Sequence, residues 1–400
     1  MNFALFLIQL GVIMLASRLV GAVVKRIHQP RVIGEIIAGI LLGPSFLGWI
    51  APSWSAALFP KESLPYLNLV SQLGLVLFMF LVGLKLELEH LRRERGVAIA
   101  ASAASIVAPF LLALGLGFYL QPVFAGPGVA TLPFILFIGA AISVTAFPVL
   151  ARILTEQGLF NTRLGAIAIS CAAVDDISAW TILAAIVSLV KQEHSLATTL
   201  GVFAIYLAGM IFVVRPLLRR MPGSDENVRA GALLLLLISS AATEQIGFHA
   251  LFGAFFAGVI FPQQNHRIDR FADSVEPLIA SLLLPVFFAF TGLRTNLGLI
   301  RDPQLWMWTL IILAVAIGGK VGGAYLAARW MGLPNRESYA LGILMNTRGL
   351  VGLVILNVGM DLGILSSSLF AMLVLVAVIT TFMTSPWVRH VLKDTHPMAN

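Results

Sequence analysis

The sequence predicts an all-α polytopic membrane protein with about thirteen transmembrane helices. Three observations carry this. Of the 400 residues, 59% are hydrophobic and only 11% are charged, against about 25% charged in ordinary soluble domains. The apolar residues fall into runs near the roughly 20 residues that a helix needs to cross a bilayer. Lysine and arginine gather in alternate loops between those runs, the signature of membrane topology.

The apolar segments lie at about 2–24, 32–50, 67–84, 97–120, 132–151, 164–190, 197–218, 230–246, 248–262, 274–293, 304–328, 338–358 and 364–388. The first has no basic n-region and no small-residue cleavage site, so it reads as a mature span rather than a signal peptide. With the N-terminus outside, nineteen of the 26 Lys and Arg residues fall in inner loops. Lys85, Arg92, Arg93 and Arg95 share one such loop, and Arg215, Arg219, Arg220 and Arg229 another. Lys61, Lys191, Arg294 and Arg301 fall in outer loops, and Arg18, Lys320 and Arg348 lie within spans. The bias predicts an integral protein of the plasma (bacterial inner) membrane, with the N-terminus outside and the C-terminus cytoplasmic. The net charge of +7 therefore reads as a lipid-bilayer signal, with no nucleic-acid partner. The single Cys171 excludes an internal disulfide and reads as packing.

Two stretches recur. Phe78–Lys85 (FMFLVGLK) resembles Phe287–Arg294 (FFAFTGLR), and Gly34–Ile40 (GEIIAGI) resembles Gly253–Val259 (GAFFAGV). Both pairs are seven segments apart, an odd offset, so the copies have opposite orientation. Residues 1–196 and 230–400 then form two inverted six-helix repeats, and 197–229 supplies a connector helix and a cytoplasmic loop. Such repeats are a recurrent plan of secondary transporters, whose sites lie at the midplane on discontinuous helices.

Residues 164–190 carry adjacent acids, Asp175 and Asp176, near the middle of a span. Each costs about 3 kcal/mol there on insertion scales. Intramembrane acids face a bundle interior or a water-filled cavity and mark ion or proton pathways. Neighbours on a helix point about 100° apart, so the two cannot share one partner. That argues against an aspartyl protease, whose carboxylates share a proton. The alternative is a buried pair satisfied by neighbouring helices, with no transport role.

Segment 5 carries Ser143-Val-Thr145-Ala-Phe-Pro148, and segment 12 carries Asn346-Thr347-Arg348-Gly349, again seven apart. Pro148 removes a backbone donor and disfavours helix before it. Gly349 weakens a helix, and Asn, Thr and Arg at such depth are expensive unless they line a cavity. Both helices are predicted to unwind here and cross near the acids. Freed carbonyls and the Ser143 and Thr145 hydroxyls would then coordinate a cation. A simple kink at Pro148 is the alternative, and Arg348 reads either as a counter-charge for unwound carbonyls or as a transport residue.

Lys320 lies in a glycine-flanked stretch of segment 11. It is about 13 Å from the cytoplasmic edge at Arg329, and Asp175 is about 18 Å from the same edge at Arg163. These depths are compatible with a salt bridge, and the glycines let another helix approach. The alternative is snorkelling to the interface. The sequence holds no phosphate-cradling glycine loop, no metal-ligand cluster and no nucleophile–base arrangement. It predicts neither an enzyme nor a cofactor, and transport driven by an existing gradient.

Together, Val32–Pro44, Phe78–Lys85, Ser143–Leu150, Ala173–Ile177 and Asn346–Leu350 resemble the monovalent cation:proton antiporter superfamily. The closest branch holds bacterial Na⁺/H⁺ and K⁺-efflux antiporters and plant cation/H⁺ exchangers. The resemblance implies a homodimer with a mobile core moving as an elevator. It implies that Asp176 binds the monovalent cation, Na⁺ or K⁺, or the proton, and that Asp175 pairs with Lys320, an arrangement that goes with electrogenic exchange. The soluble nucleotide-binding domain of the K⁺-efflux systems is not expected, since the chain ends soon after segment 13. Alternatives on such a fold are a cation channel, a non-transporting cation or pH sensor, and an organic-anion symporter.

Overall fold

A computed structural model describes residues 3–27, 29, 31–85, 95–160, 162–191, 196–219, 225–247, 250–262 and 266–393. Arg92, Arg93 and Arg220, counted above in basic loops, lie outside them, as does the Pro148 side chain. The described residues are helical nearly throughout, and their one β feature is an isolated antiparallel bridge between Ala125 and Leu365. In order the helices of ten residues or more are α1 (Phe3–Arg26), α2 (Arg31–Leu42), α3 (Leu64–Leu84), α4 (Arg95–Phe124), α5 (Thr131–Ser143), α6 (Phe147–Glu156), α7 (Arg163–Lys191) and α8 (Leu196–Gly209). There follow α9 (Asp225–Ile246), α10 (Ala250–Ile260), α11 (His266–Leu278), α12 (Leu284–Leu293), α13 (Pro303–Trp330), α14 (Asn335–Met345), α15 (Leu350–Asp361) and α16 (Ser367–Leu392). A π turn at Ile279–Leu283 joins α11 to α12.

Among the described residues, nine helical stretches are long and apolar enough to cross a membrane. Of the four other predicted segments, three fall on shorter or interrupted helices, and segment 8 falls on the 22-residue α9, which is not among the nine. Segments 5 and 12 are each split in two, as α5–α6 and α14–α15, and segment 9 is the eleven-residue α10. Segment 8 begins earlier than its apolar run, at Asp225 and Glu226, whose charges suit the positive end of a helix dipole. Apolar side chains cover the outside, among them Ile205, Phe212 and Leu326. Trp49, Trp54 and Trp330 are strongly exposed, as side chains of an interfacial belt are.

Helix ends follow local chemistry. Asp302 accepts from the Gln304 N–H at 3.0 Å and Pro303 opens α13, a pairing suited to a helix start. Its far end is closed by Gly332 at φ +89°, with the Leu333 N–H returning to the Ala328 carbonyl. Glu244, in the last turn of α9, is exposed and accepts from the Ala250 N–H at the start of α10.

The chain forms two compact units, each drawing on both halves of the sequence. One comprises Met1–Met14, Lys61–Glu87 and Trp180–Phe290, the other Leu15–Pro60, Leu88–Ala179 and Thr291–Asn400. In the first unit, a Cβ on Gly83 would strike the Phe255 carbonyl, the Val259 N and the Gly258 Cα. In the second, a Cβ on Gly292 would strike the Ile36 carbonyl, the Ile40 N and the Gly39 carbonyl carbon. In the repeat alignment Gly83 matches Gly292, and Phe255, Gly258 and Val259 match Ile36, Gly39 and Ile40. The same backbone approach is therefore made twice, each time by a motif of one half against the other motif from the other half. Gly83→Ala and Gly292→Ala should each destabilise the protein by about 1–3 kcal/mol, the cost of overpacking. Thermal unfolding followed by tryptophan fluorescence in detergent tests this, and wild-type midpoints would contradict the tight approach.

Candidate functional site

The site lies within the second unit, where two helices are interrupted. α5 ends at Ser143, and Val144 to Ala146 are extended, with ψ of 137° and 99° at these two positions. α6 restarts at Phe147 with Pro148 in its first turn, where a missing N–H costs no helical bond. α14 ends at Met345, and α15 restarts at Leu350 after an extended Gly349. The two breaks meet. The Ala146 N–H donates to the Thr347 carbonyl at 3.0 Å, and the Thr145 hydroxyl lies 2.8 Å from the Met345 carbonyl. A Cβ on Gly349 would fall 2.6 Å from Val149 Cγ2, so the approach needs a residue without a side chain.

α7 brings Asp175 and Asp176 to this place, both buried, and their surroundings differ sharply. Asp175 is surrounded by donors. Its Oδ1 is 2.6 Å from Ser102 Oγ. Its Oδ2 is 2.8 Å from Lys320 Nζ, 2.6 Å from Thr145 Oγ1 and 3.4 Å from Ser105 Oγ. The Thr145 hydroxyl has one proton for two acceptors, so it serves Asp175 or the Met345 carbonyl, one at a time. Asp176 has no hydrogen-bond partner on either oxygen among the described residues. A buried carboxylate without partners is costly as an anion.

Lys320 reaches Asp175 because α13 and α4 pack backbone to backbone. A Cβ on Gly319 would fall 2.6 Å from Pro109 Cα, and one on Gly323 2.5 Å from the Ala104 carbonyl. Lys320 is wholly buried and donates to the Ser143 carbonyl as well as to Asp175; it does not snorkel. Arg348 donates from Nη1 to the Ala141 carbonyl at 3.2 Å and from Nη2 to the Ile142 carbonyl. These carbonyls belong to the last turn of α5, which has no intrahelical donors and carries the negative end of the dipole. Of the two readings of Arg348, the geometry is that of a counter-charge. The Thr381 hydroxyl of α16 binds the Arg348 carbonyl, fixing the second break from outside.

Ser143 sits at the break, but its hydroxyl turns back to the Ala140 carbonyl of its own helix at 3.2 Å. Only its carbonyl faces the charged cluster. Asn346 and Thr347 are buried, and their side-chain oxygens have no partner among the described residues. No group of three His, Cys, Asp or Glu that could hold a metal is found among the described residues. The available donors are hard oxygens.

Sequence reasoning missed Ser102 and Ser105. They sit in an Ala-Ala-Ser-Ala-Ala-Ser run that reads as small-residue packing. Their i, i+3 spacing puts both hydroxyls on one helix face, which is the signal that could have found them. Ser102→Ala leaves Asp175 Oδ1 without its hydroxyl donor and should cost about 1.5–3 kcal/mol, as for bonds to charged groups. Unfolding midpoints test this, with Ser102→Thr restoring stability; a wild-type midpoint for Ser102→Ala would contradict it.

A sequence model described as "Sodium/hydrogen exchanger, transmembrane" matches residues 12–394. The chain is 42% identical over 395 residues to the Na⁺/H⁺ antiporter NhaS4 of Synechocystis, covering 96% of each chain. It is 41% identical over 399 residues to cation/H⁺ antiporter 17 of Arabidopsis thaliana, covering 97% of this chain but 48% of that protein's length. The solved structure of the sodium proton antiporter MjNhaP1 from Methanocaldococcus jannaschii superposes with a TM-score of 0.69 at 17% identity, covering 98% of each chain. That likeness is one of fold.

Proposed function

We propose that this chain, which belongs to the sodium/hydrogen exchanger family, is a secondary active antiporter that exchanges a monovalent cation, Na⁺ or K⁺, for H⁺. The family is one of transporters, not of enzymes. The observation that carries the reading is the unequal treatment of two adjacent acids. Asp175 is ringed by Lys320, Thr145, Ser102 and Ser105, while Asp176, one residue on, has no hydrogen-bond partner among the described residues. A proton and a cation compete for the Asp176 carboxylate, so one carrier ferries one or the other. Lys320 holds Asp175, and release of the lysine proton when a cation draws on Asp175 would move net charge in each cycle.

The repeated glycine contacts at Gly83 and Gly292 support thirteen spans in two inverted repeats, with the interrupted helices crossing at the midplane. On this reading the protein lies in the plasma membrane as a homodimer, with its N-terminus outside, and its core moves as an elevator. Purified protein in liposomes with an internal pH dye tests the exchange. Na⁺, K⁺ or Li⁺ is added in turn, with and without a clamped membrane potential. Proton movement that depends on the added cation supports antiport, and the clamp reports whether charge moves. Absence of cation-dependent proton movement across a range of pH would overturn it.

A further inference from the structure

A cation that enters a buried site exchanges its water for protein oxygens. Asp176 supplies two. The first break, where hydroxyl ligands would be sought, is already committed. The Ser143 hydroxyl binds its own helix, and the Thr145 hydroxyl serves Asp175 or the Met345 carbonyl. The second break is different. The Asn346 and Thr347 N–H groups close the end of α14 on the Ile343 and Leu344 carbonyls, which fixes where the two side chains stand. Yet Asn346 Oδ1 and Thr347 Oγ1, on residues no more than 1% exposed, have no hydrogen-bond partner among the described residues. Buried polar atoms without partners are rare, and each calls for an explanation. The Thr347 carbonyl is 3.0 Å from the Ala146 N, and Thr145, the residue before Ala146, has its hydroxyl 2.6 Å from Asp175, the neighbour of Asp176. The second break and the acid pair thus flank one short piece of backbone.

We infer that Asn346 Oδ1 and Thr347 Oγ1 complete the cation site of Asp176. The second break, rather than the hydroxyls of the first, then sets the affinity for the bare cation. This rests on the antiport reading and adds the identity of the ligands. A proton on Asp176 needs neither oxygen, so their loss weakens the cation selectively.

The test uses the detergent-solubilised full chain, with NaCl or KCl replacing choline chloride at constant ionic strength. Binding is read as the rise in unfolding midpoint with cation concentration, and in liposomes as the half-saturating cation concentration of flux. Thr347→Val keeps the shape and removes one oxygen. It should raise the half-saturating concentration at least about tenfold, the effect of losing one contact to a charged partner. Thr347→Ser should restore it, and Asn346→Ala, acting on a separate oxygen, should reproduce the loss. Wild-type half-saturation in folded Thr347→Val or Asn346→Ala overturns the inference, and if Thr347→Val does not fold, Asn346→Ala decides. A wild-type protein with no cation-dependent shift and no flux would instead overturn the antiport reading.

Discussion

Replacing Asp176 with Asn is expected to reduce cation-dependent proton movement to background while the protein still folds. The amide has nearly the shape of the carboxyl group but neither ionises nor carries a proton between compartments. No hydrogen bond is lost, because neither Asp176 oxygen has a partner among the described residues. Removing a buried charge that lacks a partner is neutral or stabilising, so the unfolding midpoint should not fall. Flux in liposomes and unfolding in detergent, measured on the same preparation, separate the two effects. Substantial remaining exchange would take Asp176 out of the central role. A collapsed midpoint would show that it serves structure instead.

Lys320→Gln is expected to act on both stability and charge movement. The lysine ammonium is wholly buried and bridges Asp175 to the Ser143 carbonyl. Breaking a buried ion pair from one side costs about 3–5 kcal/mol, because the remaining charge is left uncompensated. Glutamine can still donate to one acceptor and offsets part of this. The larger expected effect is on transport, since a neutral side chain has no proton to release when a cation approaches Asp175. Flux under a series of clamped potentials should lose or change its voltage dependence. An unchanged voltage response would sink the role of Lys320 in moving charge, whatever the loss of stability.

Much of this arrangement was legible from residue types and spacing. The acids stood out because charges are rare within spans, and both helix interruptions fall where the sequence places Pro148 and Asn346–Gly349. Lys320 and Asp175 were compatible in depth, because both helices have basic residues at one end to measure from, and the family resemblance implied that they pair. The glycine repeat was visible as two weak matches, and its physical meaning emerged only as backbone contacts at Gly83 and Gly292. Other features were hidden for definite reasons. Ser102 and Ser105 are small residues in an alanine-rich helix, where serine usually packs or back-bonds to its own turn. Ser143 stood out as a cation ligand by type, but its rotamer turns the hydroxyl to Ala140, and sequence does not encode that choice.

The division of labour between the two acids is tested most directly by proton release. Purified protein in weakly buffered detergent is mixed with NaCl or KCl, with choline chloride as control, and the pH change is read with an indicator. Wild-type protein should release protons on cation addition over a range of pH, and Asp176→Asn should release none. Equal release from wild-type and Asp176→Asn would contradict the account, because cation and proton would then not compete for that carboxylate.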